Sequence, residues 1–585
     1  MAVEKLIVDH IDTWTTALQT RSTAGRGSSG KIDLYGIKKL RELILELAVR
    51  GKLVPQDPND EPASELLKRI AAEKAELVKQ GKIKKPKPLP EISEEEKPFE
   101  LPEGWEWTTL NTLAEINPKI DVSDDEQDIS FVPMPLITTK FDGSHDFEVR
   151  KWKEVKKGYT HFANGDIAIA KITPCFENSK AAIFSGLKNN VGVGTTELHV
   201  ARPYSQSVNQ QYLLLNFKSP CFLKTGESQM TGSAGQKRVP RNFFENYPLP
   251  FPPAQEQERI VNNFTQLMIL CDQLEQHSLT SLDAHQQLVD TLLTTLTDSQ
   301  NADELAENWA RISEHFDTLF TTEASIDALK QTILQLAVMG KLVIQDPNDE
   351  PASELLKRIA QEKAQLVKDG KIKKQKPLPP ISDEEKPFEL PDGWEWCRLT
   401  EIGELARGKS KHRPRNDPAL YTNGEYPLVQ TGDVARSGGC IRTFSAMYNK
   451  VGLNQSRLWP KGTLCITIAA NIADSGILEF DACFPDSVVG FTPYDKEIPV
   501  IYFHYFMITI KSSLEKFAPS TAQKNINLDV LSQVFVPCPP LKEFLRIVGK
   551  TRMLLKQCEQ IKSCFKSAQQ TQLHLADALT DAAIN

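Results

Sequence analysis

Apolar residues recur at alternating spacings of three and four along the stretch AQEQERIVNNFTQLMILCDQLEQ, which begins at residue 254. This spacing keeps one face apolar and predicts a long amphipathic helix, with a similar one near the end of the chain. Helices of about 40 residues would span roughly 60 Å. We expect the two helices to pair as an antiparallel coiled coil, the alternative being ordinary core helices. The predicted apolar seams are Ile260, Phe264, Leu267, Cys271 and Leu274, continued by Leu288, Leu292 and Leu296, and Ile547, Leu554, Cys558, Ile561 and Phe565.

Shorter apolar runs with strand-like composition occupy two other regions of the chain. In the first region, the segments GDIAIAKI (165–172) and AAIFSGL (181–187) are predicted strands. In the second region, the predicted strands are GTLCITIAA (462–470), SGILEF (475–480) and SVVGFTPY (487–494). Both regions are therefore predicted to be β-rich, with short helices.

The chain contains an internal duplication. Segment 40–107 returns without gaps as 329–396, and about 55 of about 68 positions are identical, which marks a duplicated unit. A weaker repeat relates ENYPLPFPPAQEQERIV (245–261) to SQVFVPCPPLKEFLRIV (532–548). Between these matching flanks lie two variable blocks that share little sequence. The order is therefore repeat, variable block, helix, and then the same again.

The repeat itself predicts a helix over PASELLKRIAAEKAELVKQG, opened by Pro62 and Ser64 and closed by Gly81. Its tail, KIKKPKPLPEISEEEKPFELPEGWEW, is typical of an extended, solvated connector. The lysines of this tail are more typical of a solvated linker than of DNA contacts. Tryptophans mark the entrance of each variable block and are predicted to be core anchors: Trp105, Trp107, Trp394 and Trp396.

These patterns predict an α+β fold. Two β-rich mixed domains are joined by long antiparallel coiled-coil helices, and the duplication gives an internal pseudo-two-fold symmetry. The predicted regions are 1–107 (N-terminal helical region with the first repeat), 108–250 (first variable block), 251–396 (central long helix and second repeat), 397–540 (second variable block) and 541–585 (C-terminal helix).

Composition narrows the class of protein. Ten cysteines are scattered singly without any CxxC pair, which argues against zinc knuckles and disulfides and suits a reducing cytoplasm. We find no export signal at the start and no apolar run long enough for a bilayer, so we expect a cytoplasmic protein without membrane contact. The net charge is −8, yet each variable block is between about neutral and about +2. Sequence-selective DNA binding is compatible with this distribution.

One segment of the chain matches a motif known from enzymes. GELARGKS, from Gly403 to Ser410, fits the phosphate-loop pattern GxxxxGKS, which requires a strand before it and a helix after it. Pro414 and Pro418 oppose a following helix, so the segment is better interpreted as a basic loop near DNA or a solvated loop. There is no N-P-P-[FYW] tetrad and no HExxH, and Gly192 and Gly194 do not open a helix that could cradle S-adenosylmethionine.

The chain resembles the specificity subunits of type I DNA restriction–modification systems. The resemblance spans nearly the whole chain, and the order and duplication of its motifs are more specific than any one of them. The motifs are the paired LAVRGKLVPQ and LAVMGKLVIQ, the paired GWEW, the strand GDIAIAK, the QK turn before PLPFPPAQEQERIV, and QKNINLDVLSQVFVPCPP.

The resemblance implies that blocks 108–250 and 397–540 are target recognition domains, each reading one half of a split site in double-stranded DNA. It implies that the repeats hold the halves at a fixed spacing and bind two methyltransferase subunits, through which restriction and translocase subunits join. This chain would bind no cofactor, while S-adenosylmethionine, ATP and Mg²⁺ would belong to partner subunits. Unlike domains imply an asymmetric target. The rival hypotheses are a pure assembly scaffold and an NTPase that uses the loop ending at Ser410.

Candidate DNA contacts follow from side-chain type, because arginine suits guanine, amides suit adenine, and lysine suits phosphate or guanine. The second QK turn carries Asn525 and Ile526 where the first carries Arg238 and Val239, so the contacts of the two turns need not match. In the first block the candidates are Thr138, Thr139, Lys140, Lys171, Lys180, Lys237, Arg238 and Arg241. In the second block they are Lys409, Arg413, Arg415, Gln430, Asn471 and Lys524.

Overall fold

A computed structural model describes the chain over 3–21, 31–83, 92–233, 235–370, 372, 378–412, 414–516 and 525–584. It divides into two compact units. Unit 1 comprises Met1–Ser281 and Ala568–Asn585, and unit 2 comprises Leu282–Ser567. Each unit contains one copy of the repeat, one variable block and a part of each long helix, in keeping with the duplication.

The first repeat and the residues before it are mainly helical. Helix α3 buries Leu40, Leu43, Ile44 and Leu47 at helical spacing. Helix α4 begins directly after Pro62 and ends before Gly81, whose φ of +69° suits the residue that follows a helix C-terminus. The elements are α1 (Val3–Asp9), α2 (Ile11–Thr16), β1 (Gln19–Arg21), β2 (Lys31–Asp33), α3 (Tyr35–Val49) and α4 (Ala63–Lys79).

The first variable block contains two four-stranded sheets, and a two-stranded ladder joins its entrance to its exit. The elements are β3 (Glu106–Thr109), α5 (Leu110–Leu113), β4 (Ala114–Ile116), β5 (Asp128–Val132), β6 (Glu148–Lys151), α6 (Trp152–Val155), β7 (Thr160–Phe162), β8 (Ile167–Ala170), β9 (Ala181–Ile183), β10 (Gly192–Gly194), β11 (Leu198–Pro203), α7 (Gln210–Lys218), α8 (Pro220–Ser228), α9 (Arg241–Asn246) and β12 (Pro248–Phe251). The sheet orders are β6-β5-β10-β7, β4-β11-β8-β9 and β12-β3. The predicted strands at 165–172 and 181–187 are thus present as the shorter β8 and β9.

Between the blocks the chain is helical throughout its regular elements. These are α10 (Ala254–Asp298), α11 (Ala302–Glu314), α12 (Phe316–Leu319), α13 (Glu323–Val338) and α14 (Ala352–Lys368). Short 3₁₀ turns occur in the two repeats at Glu94–Glu96 and Asp383–Glu385, and in the blocks at Met134–Leu136, Lys188–Asn190 and Pro418–Leu420.

The second variable block has one five-stranded sheet, a separate antiparallel pair of strands, and the same ladder between entrance and exit. The elements are β13 (Glu395–Arg398), α15 (Leu399–Ile402), β14 (Gly403–Arg407), β15 (Tyr426–Leu428), α16 (Thr431–Ala435), β16 (Cys440–Ile441), β17 (Ala446–Tyr448), α17 (Lys450–Asn454), β18 (Leu464–Thr467), β19 (Ser475–Leu478), β20 (Val488–Pro493), α18 (Val500–Lys516), α19 (Leu528–Ser532) and β21 (Phe535–Cys538), followed by the long helix α20 (Leu541–Ile584). The sheet orders are β14-β20-β18-β19-β16, β15-β17 and β13-β21. All three strands predicted here are present.

The two predicted long helices are confirmed as α10, of 45 residues, and α20, of 44 residues. Most predicted seam residues are buried or half-buried, but Leu288 is 51% exposed, so its assignment to the seam was wrong. Val289 and Leu293 are buried in its place, because the apolar face shifts by one residue in this part of the helix.

Within unit 2 the two long helices run in opposite directions. Lys341, after the end of α13, donates to carbonyls of Thr297 and Ser299 near the end of α10, and His285 lies at Leu319 before α13 begins. Helix α10 therefore follows the direction of α13. Helix α20 opposes it, since Lys562 pairs with Asp327 near the start of α13 and Glu559 pairs with Lys330 further along it. The predicted antiparallel arrangement is thus present in this unit.

A buried carboxylate anchors each block entrance to the start of a long helix. The Trp105 indole N–H donates to Glu256 at 3.0 Å, and the Trp394 indole donates to Glu543 at 3.1 Å. Gln56 and Gln345 donate to the second oxygens of the same two carboxylates. Burial raises the pKa of both glutamates. Trp105 and Trp394 are core anchors, as predicted.

The tail of each repeat is only partly the solvated connector that we expected. Phe99 packs on Trp107 at 5.1 Å between ring centroids, and Phe388 packs on Trp396 at 5.0 Å. Contact between the rings removes part of their apolar surface from water. These aromatic contacts therefore hold the end of each tail against the entrance of its block. Residues 84–91 and 373–377 of the tails lie outside the described residues.

Candidate nucleic-acid interface

Three segments of the first block meet beside the end of β8, and we call them the first loop cluster: 138–144, 171–180 and 231–241. The Val239 N–H donates to the Lys171 carbonyl at 2.8 Å, and the Thr173 N–H donates to the Lys237 carbonyl at 3.0 Å. The Ala181 N–H, directly after the second segment, donates to the Thr138 carbonyl at 3.3 Å. All eight candidates of this block lie in the cluster, although their positions in the chain are far apart.

The side chains of these candidates differ in availability. Thr139, Lys140 and Lys237 are exposed. The Lys180 ammonium donates to the Met134 carbonyl at 2.9 Å, and Arg241 pairs with Glu245 on its own helix. Thr138 is half-buried, and its hydroxyl accepts from the Lys140 N–H at 3.0 Å. The exposed members are therefore better placed to reach a ligand than the paired ones.

Arg238 forms a bidentate ion pair with Glu197. Its guanidinium makes two parallel hydrogen bonds to the Glu197 carboxylate, both 2.9 Å long. The bond to Arg238 lowers the pKa of Glu197. Lys171 is half-buried beside this pair, and burial lowers the pKa of its ammonium. Glu197 thus holds Arg238 in one orientation, and the Arg238 side chain remains 43% exposed.

The second block has the same backbone framework with other side chains. The Ile526 N–H donates to the Ile468 carbonyl and the Ile468 N–H to the Ser487 carbonyl, both at 3.0 Å. These bonds reproduce those of Val239, Lys171 and Glu197 in the first block. Asn525 bridges to Ala469 as Arg238 bridges to Ile172. The charged trio Lys171, Glu197 and Arg238 is therefore replaced by Ile468, Ser487 and Asn525.

The second loop cluster comprises 407–412, 414–417, 430–439, 468–474 and 525–526. Arg415 pairs with both oxygens of Asp486, which directly precedes Ser487, at 2.7 and 2.9 Å. Lys409 and Gln430 are exposed, while Asn471 is half-buried and its carbonyl accepts from the Thr467 hydroxyl. The predicted candidates Arg413 and Lys524 lie outside the described residues.

The GELARGKS segment does not have the geometry of a phosphate loop. Gly403–Arg407 forms β14, paired antiparallel with β20 at an edge of the five-stranded sheet. Gly408 lies tightly against the backbone of Phe484 and Pro485, because a Cβ at Gly408 would be 2.3 Å from both of their carbonyl oxygens. Over the described residues 409–412 and 414–417, no helix follows the segment. Backbone N–H groups are therefore not gathered around a phosphate position.

Comparison with known proteins identifies relatives of this chain. The chain matches the family described as "Type I restriction modification DNA specificity domain" over residues 102–284 and 391–560. Two curated relatives from Escherichia coli align along all of this chain and all of their own length. The Type I restriction enzyme EcoAI specificity subunit is 67% identical over 599 residues, and the EcoEI specificity subunit is 64% identical over 600 residues.

The chain belongs to the family of type I restriction–modification DNA specificity subunits. A solved chain described as "Structural basis underlying complex assembly and conformational transition of the type I R-M system" is 16% identical, with a TM-score of 0.50. The match covers 83% of this chain and 99% of that chain, and shows likeness of fold alone. The α+β fold and the family predicted from the sequence are confirmed, and the specificity subunit is a DNA-recognition component rather than the enzyme of its system.

Sequence reasoning missed several polar residues of the specificity subunit's loop clusters. Glu197 orients Arg238, and Lys218 bonds to two loop carbonyls. Arg436, whose side chain is 73% exposed, directly follows α16, the helix that the predicted Gln430 precedes. Asn525 was not among the candidates either, although the sequence carried a signal for it, because it replaces Arg238 in the repeated QK turn. The others depend on contacts between distant segments.

In the part of the chain that the structure describes, no group of three or more His, Cys, Asp or Glu side chains is placed to hold a metal ion. No described helix combines the length and apolar character needed to cross a membrane.

Proposed function

We propose that this specificity subunit reads an asymmetric, two-part sequence in double-stranded DNA. The first recognition domain, 108–250, reads one half through the first loop cluster, and the second, 397–540, reads the other half. The observation that carries the proposal is that one framework supports two chemically unlike clusters. Unlike readers at equivalent places recognise unlike half-sites.

The candidate contacts divide by their surroundings. Thr139, Lys140, Lys237, Lys409 and Gln430 are exposed and form the proposed direct contacts, together with the oriented Arg238. The other described candidates are half-buried or already paired within the protein, so they contact DNA only where DNA displaces or shares their present partner. They are Thr138, Lys171, Lys180, Arg241, Arg415 and Asn471. Arg413 and Lys524 remain candidates on sequence grounds alone.

The duplicated scaffold supports a second part of the proposal. Near-identical surfaces on one chain suit two copies of one partner, which we propose to be methyltransferase subunits. These partners would carry S-adenosylmethionine, and restriction and translocase subunits joining through them would use ATP and Mg²⁺. The boundaries 1–107, 251–396 and 541–585 are proposed for the scaffold regions. We also propose a cytoplasmic location, which suits ten unpaired cysteines.

A domain exchange tests the proposal. Residues 108–250 are replaced by the corresponding block of another specificity subunit, and methylome sequencing of a host carrying the whole system gives the target before and after. We expect one half of the target to change while the other half and the spacing stay the same. Exchange of 397–540 is the matched control and should change the opposite half. A change in both halves, or in neither, would contradict the proposal.

A further inference from the structure

Lys218 is the last residue of α7, and it is buried, with only 3% of its surface exposed. Its ammonium donates to the carbonyl of Ser179 at 2.7 Å and to the carbonyl of Thr139 at 3.3 Å. Among the described residues no carboxylate lies within ion-pair distance of it, and burial lowers its pKa to about 7. Keeping an amine in such a place costs stability, so packing alone does not account for it.

The two acceptor carbonyls belong to different segments of the first loop cluster. Thr139 lies in 138–144 and is exposed, whereas Ser179 ends the loop that follows β8. Ser179 has a φ of +54°, a left-handed conformation that is costly for a residue other than glycine. The Lys218 ammonium therefore joins two loops through main-chain atoms, and one of these loops is held in a strained conformation.

Helix α7 supports the 138–144 loop at two more points on the same face. Gln211, Leu214 and Lys218 follow spacings of three and four, which align side chains along a helix. The Gln211 amide donates to the Asp142 carbonyl at 3.3 Å. A Cβ at Gly143 would lie 2.7 Å from a methyl carbon of Leu214, so the loop backbone lies directly on the helix. Lys218 completes a continuous line of support.

The second recognition domain reaches the same result with other side chains. On α18, the His504 ring and the Ser475 hydroxyl share a hydrogen bond of 2.9 Å. The other side of the ring lies against Gly439, where a Cβ would be 2.5 Å from Nε2. Further along α18, Lys511 pairs with Asp474, which ends the 468–474 loop. Helix α18 thus also joins two loops of its cluster, although the residues that do so are not those of α7.

We propose that Lys218 is a positioning residue for DNA recognition, which holds segments 138–144 and 171–180 in the relative arrangement that fits one half-site. It is assigned no contact with DNA itself. The inference rests on the proposed function, since it concerns how the first loop cluster performs its task. In the second domain we assign Lys511 the positioning of one segment, 468–474, through its ion pair with Asp474.

The test uses the full chain assembled with the methyltransferase subunits of its own system. The probes are duplexes bearing the target found by methylome sequencing, the same duplex with only the first half altered, and the same with only the second half altered. The variants are Lys218→Met and Lys511→Met. Lys74→Met is the matched control, because Lys74 is a half-buried lysine of the first unit whose ammonium also donates to a carbonyl, that of Asn111.

We expect Lys218→Met to lower discrimination at the first half by about tenfold, the scale of one lost base-reading contact. Discrimination at the second half should stay unchanged, and the melting temperature should not fall, because the variant removes a buried amine. Lys511→Met should show the inverse pattern. Lys74→Met should retain discrimination at both halves, and Lys218→Arg should retain more of it at the first half than Lys218→Met.

Unchanged discrimination in Lys218→Met would overturn the inference while leaving the proposed function intact. Equal loss at both halves with a lower melting temperature would also overturn it, since that pattern belongs to general loss of structure. If the unaltered complex itself failed to discriminate the duplexes, the proposed function would be overturned, and this inference with it.

Discussion

The two halves of the specificity subunit agree in their scaffolds and differ in their recognition domains. Trp105 and Glu256 form the same buried contact as Trp394 and Glu543. The loop clusters, by contrast, place Arg238 and Glu197 in one domain where Asn525 and Ser487 stand in the other. Duplication has thus preserved the contacts that hold each domain, while the side chains of the loop clusters have diverged.

The backbone of the loop clusters is preserved between the two domains. The bond from Val239 to Lys171 and that from Ile526 to Ile468 occupy the same place in each domain. A main-chain hydrogen bond is indifferent to side-chain identity, so recognition chemistry can change without loss of the framework. We expect substitutions in the framework to act alike in both halves and substitutions in the clusters to act on one half.

The largest expected effect concerns the shared anchor. Trp105→Ala and Trp394→Ala should each lower the free energy of unfolding by about 3–5 kcal/mol, because each removes a buried ring and takes one of the donors from a buried carboxylate. Chemical denaturation of the two variants measures this. Trp309→Ala, at a tryptophan that is 40% exposed, is the control and should have little effect. Clearly unequal losses at Trp105 and Trp394 would break the equivalence of the scaffolds.

The second prediction concerns acid stability, to which both domains should contribute. Burial lowers the pKa of His199 and of His504 to about 4. The unfolded chain takes up these protons near pH 6.5 and the folded chain only near 4, so stability falls as the pH decreases through this window. The loss is at most about 3 kcal/mol for each histidine.

Denaturation curves between pH 7 and pH 4 measure this loss. His504→Gln and His199→Gln should each make the dependence of stability on pH shallower by a similar amount. His574→Gln, on the last turns of α20 where the side chain meets Gln570, is the control for an unspecific effect. An unchanged slope in both core variants would show that other groups dominate acid unfolding.

The third prediction separates the recognition domains. Arg238→Ala should weaken binding of the assembled complex by about 1–3 kcal/mol through the first half-site, because it removes an oriented guanidinium. Asn525→Ala should act on the second half-site and leave the salt dependence of binding unchanged, whereas loss of an arginine on phosphate reduces the salt slope by about one. Equal effects of both variants on the same half-site would contradict the assignment.

The smallest expected effect concerns a charge reversal within the scaffolds. Asp327 pairs with Lys562 in unit 2, whereas Lys38 and Glu275 occupy the equivalent positions in unit 1. Lys562→Glu should lower stability by about 1 kcal/mol or less, since it faces Glu323 as well as Asp327. Adding Asp327→Lys should restore part of this loss, and the double-mutant cycle measures the coupling. Absence of coupling would mean that the pair is only a solvated contact.

Much of the fold was predictable because it follows from local periodicity and from repetition. Ile260, Phe264 and Cys271 are buried on one face of α10, as their spacing indicated. Leu288 was misassigned, because the choice between it and Val289 depends on which neighbours cover the helix. The strand predictions were right in type but too long, since hydrogen bonding with partner strands sets where a strand ends.

By itself, the sequence determined the duplicated architecture, the α+β class and the family, because each is encoded in contiguous patterns that survive without knowledge of distant contacts. Only the tertiary structure decided which candidates meet and in what state. Glu197 reaches Arg238, and Lys218 reaches Thr139 and Ser179, across separations that no local pattern records. Burial and partner choice arise from the packing of distant segments, and these properties decide which polar side chains remain available for DNA.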